Sequence, residues 1–424
     1  MPTTQLPKGF FWGTSTASHQ IEGNTTNDWS EFEKEQATQL AASAPKTFAE
    51  RSPVWEQVKA EATDPQNYIS GACDDSYNKW QEDIALLKAL GVNAYRFSIE
   101  WSRIEPEIGT INKEALEHYQ NIITTLKTNN IEPFVTLLHR TVPLWFAKRG
   151  GWAHTKSVRT FASYGKLLAE TFGSTVTYWT ILNEPVLNVG GGYAAGTIPP
   201  RRKNIFAALA AYRNMIRAHN EAYIAIKAVN DDAQIGCAQA AVYAEAEGNH
   251  WYNRPLVNAV HYFANWKFLN GIRNNVDFIG IQYYTRGVIG FRKSKFLIPL
   301  PREIRQPGPA SDMGQEIYPE GLYEYARMVW QRYHKPIIVT ENGIADRNDT
   351  YRAQYIIDHV EQVQKLISSG VDMRGYFYWS LLDNFEWDKG FWPRFGLATV
   401  DTETFTRTLR PSSEVYTDII KNSV

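Results

Sequence analysis

The chain has 424 residues, of which 43% are hydrophobic and 21% are charged, and its 44 Lys and Arg nearly balance its 45 Asp and Glu. This composition is that of an ordinary globular chain, so it argues against a disordered protein and against the basic surface of a nucleic-acid-binding protein. At about 100–200 residues per domain the length fits two or three domains, although a single α/β barrel also reaches this size.

Short β-branched or aromatic runs alternate with long amphipathic stretches along the chain. The predicted strands are residues 10–13, 92–98, 131–138, 176–182, 234–239, 276–281, 336–340 and 374–379. The helices predicted after them are residues 75–90, 113–129, 157–172, 205–228, 254–269, 321–333, 352–369 and 413–421. Eight strand-then-helix units predict an α/β fold, a single (β/α)₈ TIM barrel spanning residues 1–424 as one domain.

An open doubly wound sheet is the competing architecture, and it normally carries a glycine-rich turn after its first strand. The best match to such a turn is residues 190–195 (GGGYAA), which no helix is predicted to follow directly. We therefore interpret residues 190–195 as a flexible loop at the barrel rim rather than a phosphate site. Two insertions, residues 30–70 (expected to be helical) and 285–317 (basic and proline-rich), follow strands and are expected on the face where barrel enzymes keep their sites.

The two cysteines, Cys73 and Cys237, are far apart and form no C-x-x-C motif, so they predict neither a disulfide framework nor a thiolate metal site. Residues 1–11 lack the basic start and apolar run of a signal peptide, and about 18 apolar residues never occur together. We expect a cytoplasmic protein with no membrane or nucleic-acid partner, and a homo-oligomer remains an open alternative.

Polar residues at the carboxyl ends of barrel strands point into a shared mouth. Those expected here are Gln20, Glu22, Arg96, His139, Asn183, Glu184, Tyr283, Tyr284, Glu341, Asn342 and Trp379, followed by Glu386 and Trp387. Glu184 and Glu341 emerge from apolar strands, where a carboxyl group must be paired, protonated or used. Either one alone fits a salt bridge as well as catalysis, but two across one mouth favour catalysis.

Two facing carboxyl groups are what cleavage of a glycosidic bond requires, one to protonate the leaving oxygen and one to attack or stabilise the anomeric carbon. The aromatic content, 13% of residues, is compatible with stacking on sugar rings. The sequence has no H-E-x-x-H, G-x-S-x-G or Walker motif, and its nine His do not cluster at metal-ligand spacing. We expect no metal or organic cofactor.

Five ordered motifs carry a family resemblance: residues 10–23 (FFWGTSTASHQIEG), 95–104 (YRFSIEWSRI), 181–185 (ILNEP), 339–343 (VTENG) and 378–387 (YWSLLDNFEW). With them the chain resembles the family 1 glycoside hydrolases, the retaining β-glucosidases and β-galactosidases, from about residue 8 to residue 411. Residues 336–352 are most similar to the archaeal-type β-glycosidases of that family.

The resemblance implies that Glu184 is the general acid/base, that Glu341 is the nucleophile, and that Arg96 and Tyr284 bind the Glu341 carboxylate. It also implies a sugar site with hydrogen bonds from Gln20, His139, Asn183, Glu386 and Trp387, over a platform formed by Trp379. Three departures bear on specificity rather than on hydrolysis: Arg140 replaces a Trp, Gln282 replaces an Asn of the sugar site, and residues 239–243 match the usual fifth-strand signature poorly. An alternative for Arg140 is that it pairs with a nearby acid and has no contact with the sugar.

The expected activity is removal of terminal non-reducing β-D-glucosyl, galactosyl or fucosyl residues from small β-glycosides and short oligosaccharides. A 6-phospho-β-glycosidase is the closest alternative enzyme. A barrel that binds glycosides without cleaving them is the alternative from another class.

Overall fold

The computed structural model describes residues 6–292, 300–303 and 307–423. Residues 1–5, which begin the segment interpreted as lacking a signal peptide, and residues 293–299 and 304–306 of the second insertion lie outside the described residues. In the part of the chain that the structure describes, no helix is long and apolar enough to cross a membrane.

Eight parallel strands close into a barrel in which each strand pairs with the next, and the eighth pairs with the first. The barrel strands are β1 (Phe11–Ser15), β2 (Ala94–Ser98), β3 (Glu132–Leu138), β4 (Tyr178–Asn183), β5 (Gln234–Ala240), β6 (Phe278–Gln282), β7 (Ile337–Asn342) and β8 (Met373–Trp379). The predicted (β/α)₈ barrel is therefore confirmed, and the open doubly wound sheet is excluded.

The barrel interior is packed with large side chains that face small ones. Phe134, Phe278 and Phe377 form a buried cluster with neighbouring residues inside the barrel. A Cβ atom on Gly13 would lie 2.4 Å from the Phe377 ring, and one on Gly236 would lie 2.4 Å from the Phe278 ring. These glycines therefore make room for the aromatic rings, which is the alternation of small and large residues that fills a small barrel.

Helices surround the barrel, and most of them bury one apolar face. The principal helices are Ser76–Leu90, Lys113–Thr128, Ser157–Phe172, Ile205–Val229, Arg254–His261, Lys267–Ile272, Glu320–Tyr333, Arg352–Ser368 and Ser412–Lys421. The first of them ends at Gly91, whose φ of 70° is the left-handed cap conformation that glycine adopts without strain. Seven of the eight predicted helices are present within a few residues of their expected bounds.

The insertion at residues 30–70 is largely helical, as expected, with helices Asp28–Phe48 and Trp55–Ala62 and a 3₁₀ turn at Pro65–Tyr68. Of the second insertion, Arg286–Arg292 is a strand that pairs with Tyr243–Ala246 and with Leu300–Glu303. The remaining short elements are helical turns at Ser18–Ile21, Trp101–Ile104, Leu144–Lys148, Gly151–Ala153, Pro185–Val189, Glu247–Asn249, Trp251–Asn253 and Trp387–Lys389, and a hairpin of Ala398–Val400 with Arg407–Leu409.

Two local predictions are wrong. Gly190–Ala195 is not a flexible loop but a π-helical turn that continues the helix Pro185–Val189. Gly192 packs against the Pro199 carbonyl, and the hydroxyl of the buried Tyr193 accepts a hydrogen bond from the Trp152 amide at 2.8 Å, so tertiary contacts fix this segment. The helix predicted over residues 254–269 is likewise interrupted by a π-helical turn at Tyr262–Trp266.

Candidate active site

Glu184 and Glu341 lie at the carboxyl ends of two barrel strands and line one cavity of about 100 Å³. Glu184 directly follows β4 and Glu341 is the fifth residue of β7. The pairing register of each strand shifts just before its carboxylate, between Thr180 and Asn183 in β4 and between Val339 and Glu341 in β7. Such irregularities redirect side chains at strand ends, and here they bring both carboxyl groups to the cavity.

Both oxygens of the Glu341 carboxylate accept hydrogen bonds. Arg96 Nη1 donates to Glu341 Oε1 at 2.6 Å, and the Tyr284 hydroxyl donates to Oε2 at 2.7 Å. Arg96 is the third residue of β2 and is fully buried, so its guanidinium reaches Glu341 across the barrel interior. Burial and the charge of Glu341 raise the pKa of Tyr284 well above its ordinary value, so this hydroxyl keeps its proton and remains a donor.

The Glu184 carboxyl group has weaker support: it forms an ion pair with Arg140, whose Nη2 lies 3.3 Å from Glu184 Oε2, and Arg96 acts on it without a hydrogen bond among those described. Burial, followed by the charge of Glu341, raises the pKa of Glu184 to about 7. Burial also raises the pKa of Glu341, but Arg96 and the Tyr284 hydrogen bond oppose that shift. When the pair holds one proton, Glu184 therefore carries it and Glu341 is the carboxylate.

Asn183 connects the two halves of the site. Its Oδ1 accepts from Arg96 Nη2 at 2.5 Å and from Gln282 Nε2 at 2.8 Å, and its Nδ2 lies 3.1 Å from His139 Nε2. Burial, with Arg96 and Arg140 nearby, lowers the pKa of His139 well below its ordinary value, so the ring is neutral. Since Nε2 accepts from Asn183, the His139 proton is assigned to Nδ1, which is buried.

Gln20 and Glu386 meet at another wall of the site. Gln20 Nε2 donates to the Phe385 carbonyl at 2.8 Å and lies 3.4 Å from Glu386 Oε2. Burial raises the pKa of Glu386 to about 7, although Lys389 and Arg140 oppose the shift. This carboxyl group can therefore both donate and accept hydrogen bonds near neutral pH.

Aromatic side chains form much of the remaining cavity wall. Trp379 and Trp387 each lie nearly parallel to His139, with ring centroids 5.8 Å and 6.0 Å away. Trp379, the last residue of β8, and Trp387 present apolar surface beside the polar groups, which suits the mixed character of a sugar ring.

The structure brings together the residues predicted for the site, but it directs three other strand-end residues elsewhere. Glu22 turns to Arg103, whose Nε lies 2.7 Å from its carboxylate. Tyr283 is fully buried, and its hydroxyl donates to the Tyr318 carbonyl at 2.6 Å. Asn342 donates to the Tyr283 carbonyl at 2.6 Å and serves the packing behind the site.

Three cavity residues, Met313, Gln315 and Phe395, were missed from the sequence. Met313 and Gln315 belong to the insertion at residues 285–317, which was expected on this face of the barrel. The sequence thus predicted that the insertion lies near the site, but not which of its residues enter the cavity. Phe395 lies in the loop after β8 and packs edge-on to Tyr284 with ring centroids 6.1 Å apart. No pattern in the sequence marks it.

A second, wider chamber of about 440 Å³ adjoins the cavity. Glu184, Tyr284 and Gln315 line both spaces. The other described walls of the chamber are mainly apolar and include Leu187, Val242, Leu256, Val260 and Ile289. Glu184 therefore stands at the boundary between a small polar cavity and a larger apolar one.

Among the described residues, no group of three His, Cys, Asp or Glu could hold a metal ion.

The structure combines a (β/α)₈ barrel with a cavity that has polar and aromatic walls and two carboxyl groups, one that favours its proton and one that favours its charge. This combination is characteristic of the glycoside hydrolases. Comparison with known proteins agrees, because residues 2–271 and 266–424 match the family model described as glycosyl hydrolase family 1. The chain belongs to glycosyl hydrolase family 1.

Relatives of known function match almost the entire chain. Beta-glucosidase A of Thermotoga maritima is 33% identical over 100% of this chain and 99% of its own. A beta-galactosidase of Sulfolobus acidocaldarius is 30% identical over 99% of this chain and 95% of its own.

Solved structures show the same similarity. The beta-glucosidase from Thermotoga maritima in complex with glucoimidazole matches with a TM-score of 0.86 at 31% identity, covering 99% of both chains. The beta-glycosidase from Pyrococcus horikoshii matches with a TM-score of 0.87 at 33% identity, covering 100% of this chain and 96% of its own. Both bacterial and archaeal glycosidases are thus similar to this chain in sequence and in fold.

Proposed function

We propose that the protein is a retaining exo-β-glycosidase that removes terminal non-reducing β-D-glucosyl residues, and also galactosyl and fucosyl residues, within one catalytic domain spanning residues 1–424. The observation that carries this proposal is the unequal surroundings of Glu184 and Glu341. Arg96 and Tyr284 stabilise a carboxylate at Glu341, whereas burial and the charge of Glu341 keep a proton on Glu184. Glycoside cleavage with retention needs one group of each kind.

In the first step, Glu341 attacks the anomeric carbon while Glu184 gives its proton to the glycosidic oxygen. The bond from the anomeric carbon to that oxygen breaks, the aglycone leaves as an alcohol, and a glycosyl ester forms on Glu341. Arg96 and Tyr284 hold the attacking carboxylate in place through its two oxygens.

In the second step, water attacks the same carbon and releases Glu341. Esterification removes the charge of Glu341 and with it the repulsion that raised the pKa of Glu184. Glu184, which is ionised after giving up its proton, then acts as the base. It takes a proton from the water as the ester bond breaks, and the sugar leaves with its original β configuration.

The sugar itself would occupy the small cavity. A volume of about 100 Å³ is below the usual range for larger ligands, which supports one terminal residue rather than an internal segment of a chain. Hydrogen bonds to its hydroxyls would come from Gln20, His139, Asn183, Glu386 and Trp387, with Gln282 holding Asn183 in place and Trp379 stacking on the ring. The leaving group would extend past Glu184 into the apolar chamber.

The 6-phospho-β-glycosidase alternative finds less support. A phosphate would need a free cation in the cavity, but the Arg140 guanidinium already faces Glu184. None of the contacts made by the described residues favours a 6-phospho-β-glycosidase over an enzyme that acts on neutral sugars.

Release of nitrophenol from a panel of nitrophenyl glycosides tests the proposal. We expect turnover of the β-glucoside, β-galactoside and β-fucoside, and none of the α-glucoside. Glu341→Ala is the matched control for contaminating activity. A purified wild-type protein that releases no nitrophenol from any β-glycoside would contradict the proposed activity and support a binding role.

A further inference from the structure

Arg140 occupies a fixed position at the edge of the cavity. It directly follows His139 and has a φ of 73°, a left-handed conformation that is uncommon for a residue with a side chain. Such conformations persist where the surrounding structure enforces them, and they concentrate at functional sites. The backbone thus directs the Arg140 side chain into the cavity that Glu184 and Glu341 share.

Two aromatic rings and one carboxylate surround the Arg140 guanidinium. Its central carbon lies 4.8 Å from the Trp387 ring centroid and 5.7 Å from that of Trp29, which are distances for cation–π attraction. Its Nη2 lies 3.3 Å from Glu184 Oε2, and its side chain is 16% exposed. Trp29 and Trp387 pack edge-to-face with centroids 4.7 Å apart, so both rings lie on one side of the guanidinium, and Nη2 reaches Glu184.

The charges around Arg140 are balanced by the protein itself. Glu184 after β4, Glu341 in β7, and Glu386 and Asp388 after β8 all interact electrostatically with Arg140. The other cations close to these carboxyl groups are Arg96 and Lys389, and the neighbouring titratable groups His139 and Tyr284 are neutral. Carboxyl groups rather than further cations therefore surround Arg140, an environment that favours its pairing with Glu184 over binding of an anionic substrate.

We propose that Arg140 is a positioning residue that orients the ionised Glu184 carboxylate for the attack of water in the second step. This inference rests on the proposed function, in which Glu184 alternates between acid and base. In the first step Glu341 is charged and Glu184 holds its proton, so the pair with Arg140 is weak. Once Glu341 is esterified, Glu184 is ionised and its attraction to Arg140 is strongest.

The same contact predicts a change in pH dependence. Arg140 favours the ionised form of Glu184 and lowers the pKa of that group against the effects of burial and of Glu341. Removal of the Arg140 charge should therefore raise the pKa of Glu184, and the alkaline limb of kcat/KM should move upward by about one pH unit. Loss of orientation should lower kcat by about tenfold on substrates whose second step is slow.

Three variants test the proposal on the full-length protein: Arg140→Met, which removes the charge, Arg140→Lys, which keeps it, and Arg374→Met as a matched control. Arg374 is the second residue of β8, at the end of the barrel away from the site, and its side chain is 51% exposed beside Asp372. We would measure kcat/KM for nitrophenyl β-glucoside against pH and kcat for dinitrophenyl β-glucoside, whose activated leaving group makes the second step slow, and confirm folding by circular dichroism. An unchanged kcat for dinitrophenyl β-glucoside in Arg140→Met would overturn the role in the second step. Arg140→Gln replaces Arg140→Met if the latter fails to fold.

We expect the alkaline limb to move upward in Arg140→Met and to stay within a few tenths of a pH unit in Arg140→Lys and Arg374→Met. An unchanged limb in Arg140→Met, or equal shifts in the Met and Lys variants, would overturn the positioning role. So would a wild-type preference for nitrophenyl 6-phospho-β-glucoside that Arg140→Met abolishes, because Arg140 would then bind substrate. Failure of the proposed function itself has a different signature, namely an alkaline limb that persists in Glu184→Ala.

Discussion

Arg96 donates a 2.6 Å hydrogen bond to Glu341 from a strand on the other side of the barrel interior, while its second nitrogen holds Asn183, the neighbour of Glu184. One buried cation therefore joins the strand ends that carry both carboxyl groups. The charge of Arg96 stabilises the ionised form of Glu341, and in the proposed mechanism its position holds that group for attack on the anomeric carbon.

Glu341→Ala should lose nearly all activity, by about ten-thousandfold or more in kcat, because Arg96 and Tyr284 hold no other carboxylate among the described residues. Added formate should restore part of the turnover, since a small anion fits the space that the side chain leaves. Rates with and without formate on nitrophenyl β-glucoside measure both effects. Activity close to wild type without formate would exclude Glu341 as the nucleophile.

Glu184→Ala should discriminate between leaving groups. Methyl β-glucoside needs a proton on its leaving oxygen, so kcat/KM for it should fall by about 10²–10⁴-fold, whereas kcat/KM for dinitrophenyl β-glucoside should change little. Added azide should accelerate the second step with the activated substrate. If both substrates lost the same factor, Glu184 would not be the acid.

Activity should follow a bell-shaped curve against pH. The acidic limb reports protonation of Glu341, which must be ionised to attack, and the alkaline limb reports deprotonation of Glu184, whose pKa burial and Glu341 raise to about 7. Because the pKa of Glu386 is also raised to about 7, Glu386→Gln is a necessary control. The alkaline limb of kcat/KM should vanish in Glu184→Ala and persist in Glu386→Gln; the reverse pattern would reassign it.

Unphosphorylated sugars should be strongly preferred over 6-phospho sugars. Glu386 is half-buried, and in the proposed complex it lies against the 4- and 6-hydroxyls, where a phosphate of roughly −1.5 to −2 charge would meet a carboxyl group. A comparison of kcat/KM for nitrophenyl β-glucoside and its 6-phosphate measures the preference. Equal use of the phosphate would contradict it and favour the alternative enzyme.

Most of the barrel was predictable because each buried strand is a short apolar run followed by a helical period, and both signals are local. The Gly190–Ala195 turn was not, since its conformation depends on packing against Pro199 and Trp152. The strand Arg286–Arg292 was also missed, because it pairs with Tyr243–Ala246 from an earlier part of the chain. Strand formation depends on such partners more than on local preference.

The sequence motifs identified the side chains that line the candidate site, but the motifs did not predict which of these side chains contact one another. Arg140 could be seen as a departure, yet its pairing with Glu184 depends on a left-handed backbone that nothing in the sequence marks. Gln282 likewise differs from the expected Asn and still reaches Asn183, at 2.8 Å. Phe395 enters the cavity from a loop without a motif, so only the folded chain reveals it.

The stereochemistry of the first-formed sugar tests the central claim most directly, because attack by Glu341 followed by attack of water inverts the anomeric carbon twice. Proton NMR during the first minutes of nitrophenyl β-glucoside hydrolysis, before mutarotation, distinguishes the two anomers. The double displacement predicts that β-glucose appears first and that the α anomer grows only later. Early appearance of α-glucose would show a single displacement by water and would contradict the assignment of Glu341 as the nucleophile.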